Sequence, residues 1–215
     1  MTMLASQSLP QRMMIPHVAP FIGETPEDRH AERIIGVMLD FLDKVTAQVG
    51  QQLTQEKLGQ IGGSVKSQQR FAERVRNSRS PAIIQFSPNY GSRCRFKLGW
   101  AIYERDAYGG AVVSWLLVKG EGPGRVSHGS APLWRVSRHA LARMVQRCEA
   151  HDAFALLYRM RELADEVSSA VTERLLAGDK TTLRVPFAHG IAVVEWPSDS
   201  PVAVVKTVLP LGARQ

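Results

Sequence analysis

V-S-R-H-A-L-A-R-M-V-Q-R, residues 136–147, is the stretch on which the rest of the chain turns. Ser137 suits an N-cap, and helical spacing puts His139, Arg143 and Arg147 on one face. A second, longer helix is expected from about Asp152 to Ala177, with Phe154, Leu157, Leu163, Val167, Val171 and Leu175 as its buried stripe and Gly178-Asp179 as its end. Three short strands follow, T-T-L-R-V-P-F, G-I-A-V-V-E-W and V-A-V-V-K-T-V-L-P, separated by A-H-G and P-S-D-S-P turns. Residues 133–215 therefore read as a helix-helix-meander unit.

Upstream, Gly120-Glu121-Gly122-Pro123-Gly124 through Ser130 reads as a glycine-rich linker or lid, and 121–132 is the expected boundary. It lacks the G-x-x-x-x-G-K-[ST] order of a phosphate-cradling loop. Before it, A-I-I-Q-F and a strand alternating Cys94, Phe96, Leu98, Trp100 and Ile102 with Arg93, Arg95 and Lys97 predict an antiparallel sheet with a basic stripe outward. A-V-V-S-W-L-L-V-K is the return strand of a hairpin, apolar enough to be covered on both faces. Thr25, Pro26, Glu27 and Asp28 start a helix whose stripe is Ile34, Met38, Phe41, Val45 and Val49. A basic helical segment from about Ser64 to Asn77 carries Lys66, Arg70, Arg74 and Arg76 against Glu73; with no aromatic but Phe71 interleaved, it reads as a solvated helix surface ahead of a nucleic-acid ridge.

The predicted class is α+β: N-terminal helices, an antiparallel sheet, then the helix-helix-three-strand unit. Residues 1–24 read as a mobile arm and 25–120 as a helical plus β-hairpin region, which can pack as one domain with 133–215.

A length of 215 residues, with 44% hydrophobic and 22% charged, fits a folded chain with a sizeable core. The +7 formal charge biases it toward polyanionic partners, although a basic protein needing only solubility has the same surplus. Cys94 and Cys148 lie far apart with no C-x-x-C spacing, so a reducing, cytoplasmic setting is expected, without a structural zinc. No secretory h-region and no run of eighteen apolar residues is present, so no membrane association is expected. H-E-x-x-H, paired-aspartate, H-x-E…P-C-x-x-C and G-x-S-x-G patterns are missing, and neither a metal nor another cofactor is expected.

Metal-independent RNA cleavage needs a group to take the 2′-hydroxyl proton, another to protonate the leaving oxygen, and fixed cations for the phosphoryl charge. His139 with Arg143 and Arg147 supplies both residue types on one helix. Arg135 and Arg138 add positive potential, with no acidic residue between Trp134 and Arg147. The wet side of an ordinary amphipathic helix has the same pattern. His189, in the A-H-G turn, is a candidate second proton carrier, although turn histidines are usually just exposed.

S-R-H-A-L-A-R-M-V-Q-R, followed by a helix and a sheet ending in V-V-K-T-V-L-P, resembles the barnase-, colicin- and RelE-like ribonuclease toxin superfamily. The resemblance covers roughly the last eighty residues. It implies a histidine-alanine-x-x-arginine helix against an antiparallel sheet, His139 as acid or base, Arg143 and Arg147 as phosphate ligands, and Lys206 or Thr207 as the polar contribution of the last strand. About 120 N-terminal residues depart from the pattern of a small toxin.

Two functions therefore stand side by side. One is an RNA-cleaving C-terminal third regulated or targeted by the N-terminal half. The other is a non-catalytic module docking nucleic acid or protein through Arg93, Arg95, Lys97, Arg135 and Arg138. Membership of a mobile-element or phage-related assembly is a third expectation, with the helix at 26–53 as its protein-binding surface; the oligomeric state is open.

Overall fold

The computed structural model describes residues 25–52, 83–90, 95–122, 125–198, 200 and 202–212, with 64, 66, 67, 69, 70 and 73. The expected arm at 1–24, Arg93, Cys94 and most of the basic 64–77 segment lie outside the described residues. The described chain is α+β, with three long helices and seven strands in one sheet.

Helix α1, Pro26–Gln52, starts where its cap chemistry says it should. The Thr25 hydroxyl accepts from the Asp28 amide at 3.2 Å and donates to the Asp28 carboxylate at 2.6 Å, which satisfies one of the orphan donors of the first turn. Its buried face is Ala31, Ile34, Ile35, Met38, Leu39, Leu42 and Val45, wider than the expected stripe. Phe41 sits at the margin, its ring 5.7 Å from that of Phe154.

Strands β1 (Ile83–Tyr90), β2 (Arg95–Arg105), β3 (Ala111–Gly122) and β4 (Arg125–Val136) form an antiparallel meander. Helices α2 (Arg138–Arg147) and α3 (Ala153–Ala177) follow, then β5 (Leu183–Phe187), β6 (Gly190–Glu195) and β7 (Ala203–Leu209). The spatial order is β1-β2-β3-β4-β7-β6-β5. β4 and β7 pair in parallel through Trp134↔Ala203, Arg135↔Val204 and Val136↔Val205. The sheet is therefore mixed, where the alternation predicted an antiparallel one, and the last strand closes onto the first meander.

That joint also overturns the linker. The β3/β4 ladder runs from Ala111↔Val136 to Gly122↔Arg125, so 125–132 is strand and nothing there separates two units. Ser127 to Leu133 are all exposed. The strand is held by backbone pairing, so it has no apolar pattern for periodicity to detect.

The helices lie against the sheet through large side chains with polar tips. The buried Tyr103 hydroxyl donates to the Met160 carbonyl at 2.5 Å, and Trp134 Nε1 donates to Ser168 Oγ at 3.0 Å. The two rings meet edge-on at 6.3 Å. On β2, Lys97 is exposed as expected, but from Ala101 the same strand parity turns to the core, with Ala101 and Tyr103 buried alongside Ile102. The basic stripe thus does not continue along the strand. β3 is buried on both faces, by Ala111 and Val113 on one and Ser114, Leu116 and Val118 on the other. Among the described residues, no helix is long and apolar enough to cross a membrane.

Candidate functional site

Helix α2 is fixed to the last strand at both ends. Ser137 is its N-cap: Oγ accepts from the Ala140 amide at 3.1 Å and donates to the Lys206 carbonyl at 2.9 Å, while the Ser137 amide donates to the Val205 carbonyl at 3.0 Å. At the far end, Arg147 Nη1 donates to the Val208 carbonyl at 2.7 Å. Between these anchors Ala140, Leu141, Met144 and Val145 are buried, and His139, Arg143 and Arg147 line the opposite side. The helix face expected from spacing is the face observed.

The strand side of the site depends on a bulge. Val193 pairs with Thr207 and Val194 with Val205, which leaves Lys206 as an extra residue in β7. Lys206 is exposed, and its carbonyl is the one that takes the Ser137 hydroxyl. Thr207 goes elsewhere. Val205 and Val208 pair with the buried Val194 and Ala192 on the core face, so alternation puts Thr207 and its partner Val193 on the other face of the sheet. Of the two strand residues nominated, only Lys206 stands at the head of α2.

Burial and the charges of Arg143 and Arg147 hold the His139 imidazole below its ordinary pKa. Its neutral form is therefore favoured near pH 7, which suits proton acceptance.

The surrounding cations are less available than the sequence suggested. Arg138 donates Nε to both Glu32 oxygens, at 3.2 and 2.9 Å, and Nη1 to the Gly109 carbonyl at 3.0 Å, with a further short contact from Nη2 to Glu32. Arg135 lies 3.8 Å from Asp106, whose carboxyl burial pushes up against the pull of that arginine, and stacks over the Tyr108 ring at 4.6 Å. The expectation of an uncancelled positive run is corrected: the acids that cancel it come from α1 and the β2–β3 turn, far off in sequence. Arg95 begins β2 and Lys97 is exposed on it.

Arg143 keeps its place on the exposed face and donates Nη1 to Gln146 Oε1 at 2.8 Å. Gln146 in turn donates to Asp28 Oδ1 at 2.9 Å.

His189 is not brought to His139. Its carbonyl faces the Cys148 thiol at 3.5 Å, at the end of α2 opposite the turn that holds His139. The helix rise puts those ends about 13 Å apart. The His189 ring meets Arg159 Nη1 at 2.5 Å and Glu162 at 3.2 Å, and Arg159 also donates Nε to the Cys148 carbonyl at 3.2 Å. This cluster ties α3 to the β5–β6 turn. Burial pushes the Cys148 thiol up to about 11, which makes it a poor nucleophile.

Asp28, Glu32 and Gln146 were missed by sequence reasoning. A charge count confined to residues near His139 has no means of finding Asp28 and Glu32, more than a hundred positions away from their partners, and it passes over Gln146 because an amide carries no charge. Among the described residues, no group of three or more His, Cys, Asp or Glu side chains is arranged to hold a metal ion. Comparison of the chain with protein-family models, with curated proteins and with solved structures finds no match.

Proposed function

We propose that the exposed face of α2, with Lys206 at its head, binds the phosphodiester backbone of nucleic acid, RNA foremost. The seating of α2 on β7 supports this reading: the Ser137 bonds to the Val205 and Lys206 carbonyls bring the backbone of an exposed, bulged lysine to the head of the helix that carries His139 and Arg143. Arg143, Lys206 and a titratable histidine are groups that hold phosphate oxygens without reading bases. With about two to three phosphates engaged, the log-log salt slope on a single strand is about −2.

Fluorescence anisotropy of a labelled single-stranded RNA across a salt series tests this. Arg143→Ala with Lys206→Ala should weaken binding and flatten the slope by more than one, with the thermal melt unchanged. Wild-type protein that binds no RNA at low salt, or a double variant with an unchanged slope, would refute the proposal.

A second reading, metal-independent RNA cleavage, is favoured by the neutral bias of His139. As the 2′-oxygen attacks phosphorus, its proton passes to His139. The departing 5′-oxygen takes a proton from the Lys206 ammonium, leaving a 2′,3′-cyclic phosphate, while Arg143 faces the phosphoryl charge. His189 has no part in it. The ribonuclease-toxin resemblance supports the same roles for His139 and Arg143. Equal rates of cyclic-phosphate formation by wild type and His139→Ala would end this reading and leave the binding one standing.

A further inference from the structure

Helix α1 belongs to no part of the resemblance, yet its first turn reaches the α2 face. Thr25 Oγ1 donates to Asp28 Oδ2 at 2.6 Å, Gln146 Nε2 donates to Asp28 Oδ1 at 2.9 Å, and Arg143 Nη1 donates to Gln146 Oε1 at 2.8 Å. Asp28 is thus held from one side by its own cap and from the other by a residue 118 positions away. Every bond in this chain has its donor and acceptor assigned without ambiguity: the carboxylate only accepts, so the amide must turn its NH2 to Asp28 and its oxygen to Arg143.

We infer that Asp28 and Gln146 are positioning residues for Arg143, so that the first turn of α1 sets the aim of the cation on the α2 face. The inference rests on the phosphate-binding reading for its purpose, though not for its geometry. An arginine side chain on an exposed helix face otherwise samples many rotamers, and each contact it makes then costs the ordering of that chain. Gln146 holds one end of the guanidinium and leaves its other nitrogens for a phosphate oxygen. Asp28 fixes which way the Gln146 amide points. Without it the Gln146 side chain loses its second anchor, and the oxygen that Arg143 binds is no longer held in place.

Asp28 also brings a negative charge into this relay, and the Arg143 charge is among the groups that hold its carboxyl below the ordinary range, after the Thr25 hydroxyl and the Gln146 amide. The positioning role and the charge role pull in opposite directions on affinity. Asp28→Asn removes the charge but keeps an oxygen for Gln146, whereas Gln146→Ala breaks the relay and leaves the charge.

The test is a double-mutant cycle read in two ways. In RNA anisotropy, Gln146→Ala should weaken binding about fivefold, the cost of re-ordering one released arginine. That effect should vanish in the Arg143→Ala background, whereas a purely structural role would persist there. Asp28→Ala should bind more weakly than Asp28→Asn, because both remove the charge and only the alanine releases the Gln146 amide; equal affinities would overturn the role of Asp28. Independently of any RNA, the His139 imidazole followed by NMR should titrate at higher pH in Gln146→Ala, because the guanidinium no longer stays beside it. Arg147, the other cation that depresses it, remains in place.

Gln146→Ala lies on a part-buried edge, so a thermal melt accompanies each variant. Wild type that binds no RNA removes the phosphate-binding reading. The positioning inference itself is overturned if the His139 titration is unmoved in Gln146→Ala, or if the affinity loss is the same with and without Arg143.

Discussion

Arg138→Ala should cost about 2 kcal/mol of stability while changing RNA affinity by no more than about twofold. Its guanidinium grips both Glu32 oxygens and the Gly109 carbonyl, so it is built into the joint between α1, α2 and the β2–β3 turn. The two side chains are 30% and 24% exposed, which places the pair between the surface and interior regimes. Charge-assisted hydrogen bonds contribute about 1.5–3 kcal/mol, and stranding a fully buried partner costs about 3–5 kcal/mol. Water still reaches roughly a quarter of Glu32, which lowers the cost of leaving it unpaired and favours the low end of those ranges. Urea denaturation of wild type, Arg138→Ala, Glu32→Ala and the double variant measures this, provided m is shared across the set. The cycle should return a coupling of about 1–1.5 kcal/mol. A coupling below about 0.5 kcal/mol would show that the joint is surface decoration. An affinity loss equal to that of Arg143→Ala would return Arg138 to the ligand set.

Two glycines should respond oppositely to alanine. At Gly110 a Cβ would stand 2.1 Å from the Val136 carbonyl, a backbone atom next to the α2 cap, so Gly110→Ala should lose more than about 2 kcal/mol by urea denaturation; at Gly36, within α1, nothing lies within 4 Å, and Gly36→Ala should gain up to about 1 kcal/mol. Burial, followed by the Asp165 charge, raises the Tyr103 phenol well above its ordinary range. A raised folded-state value means stability is intact below the unfolded phenol's pKa of about 10 and is lost as pH climbs beyond it. Tyr103→Phe should abolish that alkaline loss in pH-dependent melts, at a cost near 1 kcal/mol from the bond to Met160. The Cys148 thiol, held up to about 11, should resist iodoacetamide at pH 8 until the chain is unfolded, as peptide mass mapping would record.

The three C-terminal strands, the capped α3 and the exposed row His139, Arg143, Arg147 were all legible, because each rests on local chemistry: alternation, a cap residue, a helical repeat. Asp152 and Gly178 cap α3 as local rules require, the glycine at φ 70°. The glycine-rich segment was misread because strand β4 is exposed along Ser127 to Leu133 and owes its conformation to its neighbours. Thr207 and Lys206 looked equivalent, since a bulge depends on the register of the partner strand and leaves no mark in a single sequence.

By itself, then, the sequence determined the helices and strands that carry their own cap or periodic pattern, and which side of α2 stays wet, since near-neighbour spacing decides both. Tertiary structure alone decided which of the basic residues are held by acids distant in sequence. β4 and β7 pair through Trp134↔Ala203, Arg135↔Val204 and Val136↔Val205, which lets the Ser137 hydroxyl reach the Lys206 carbonyl; α1 brings Glu32 and Asp28 against α2, and the β2–β3 turn brings Asp106 to Arg135. Charge acts through space, over distances comparable to one side chain, and a chain read in order records none of those approaches.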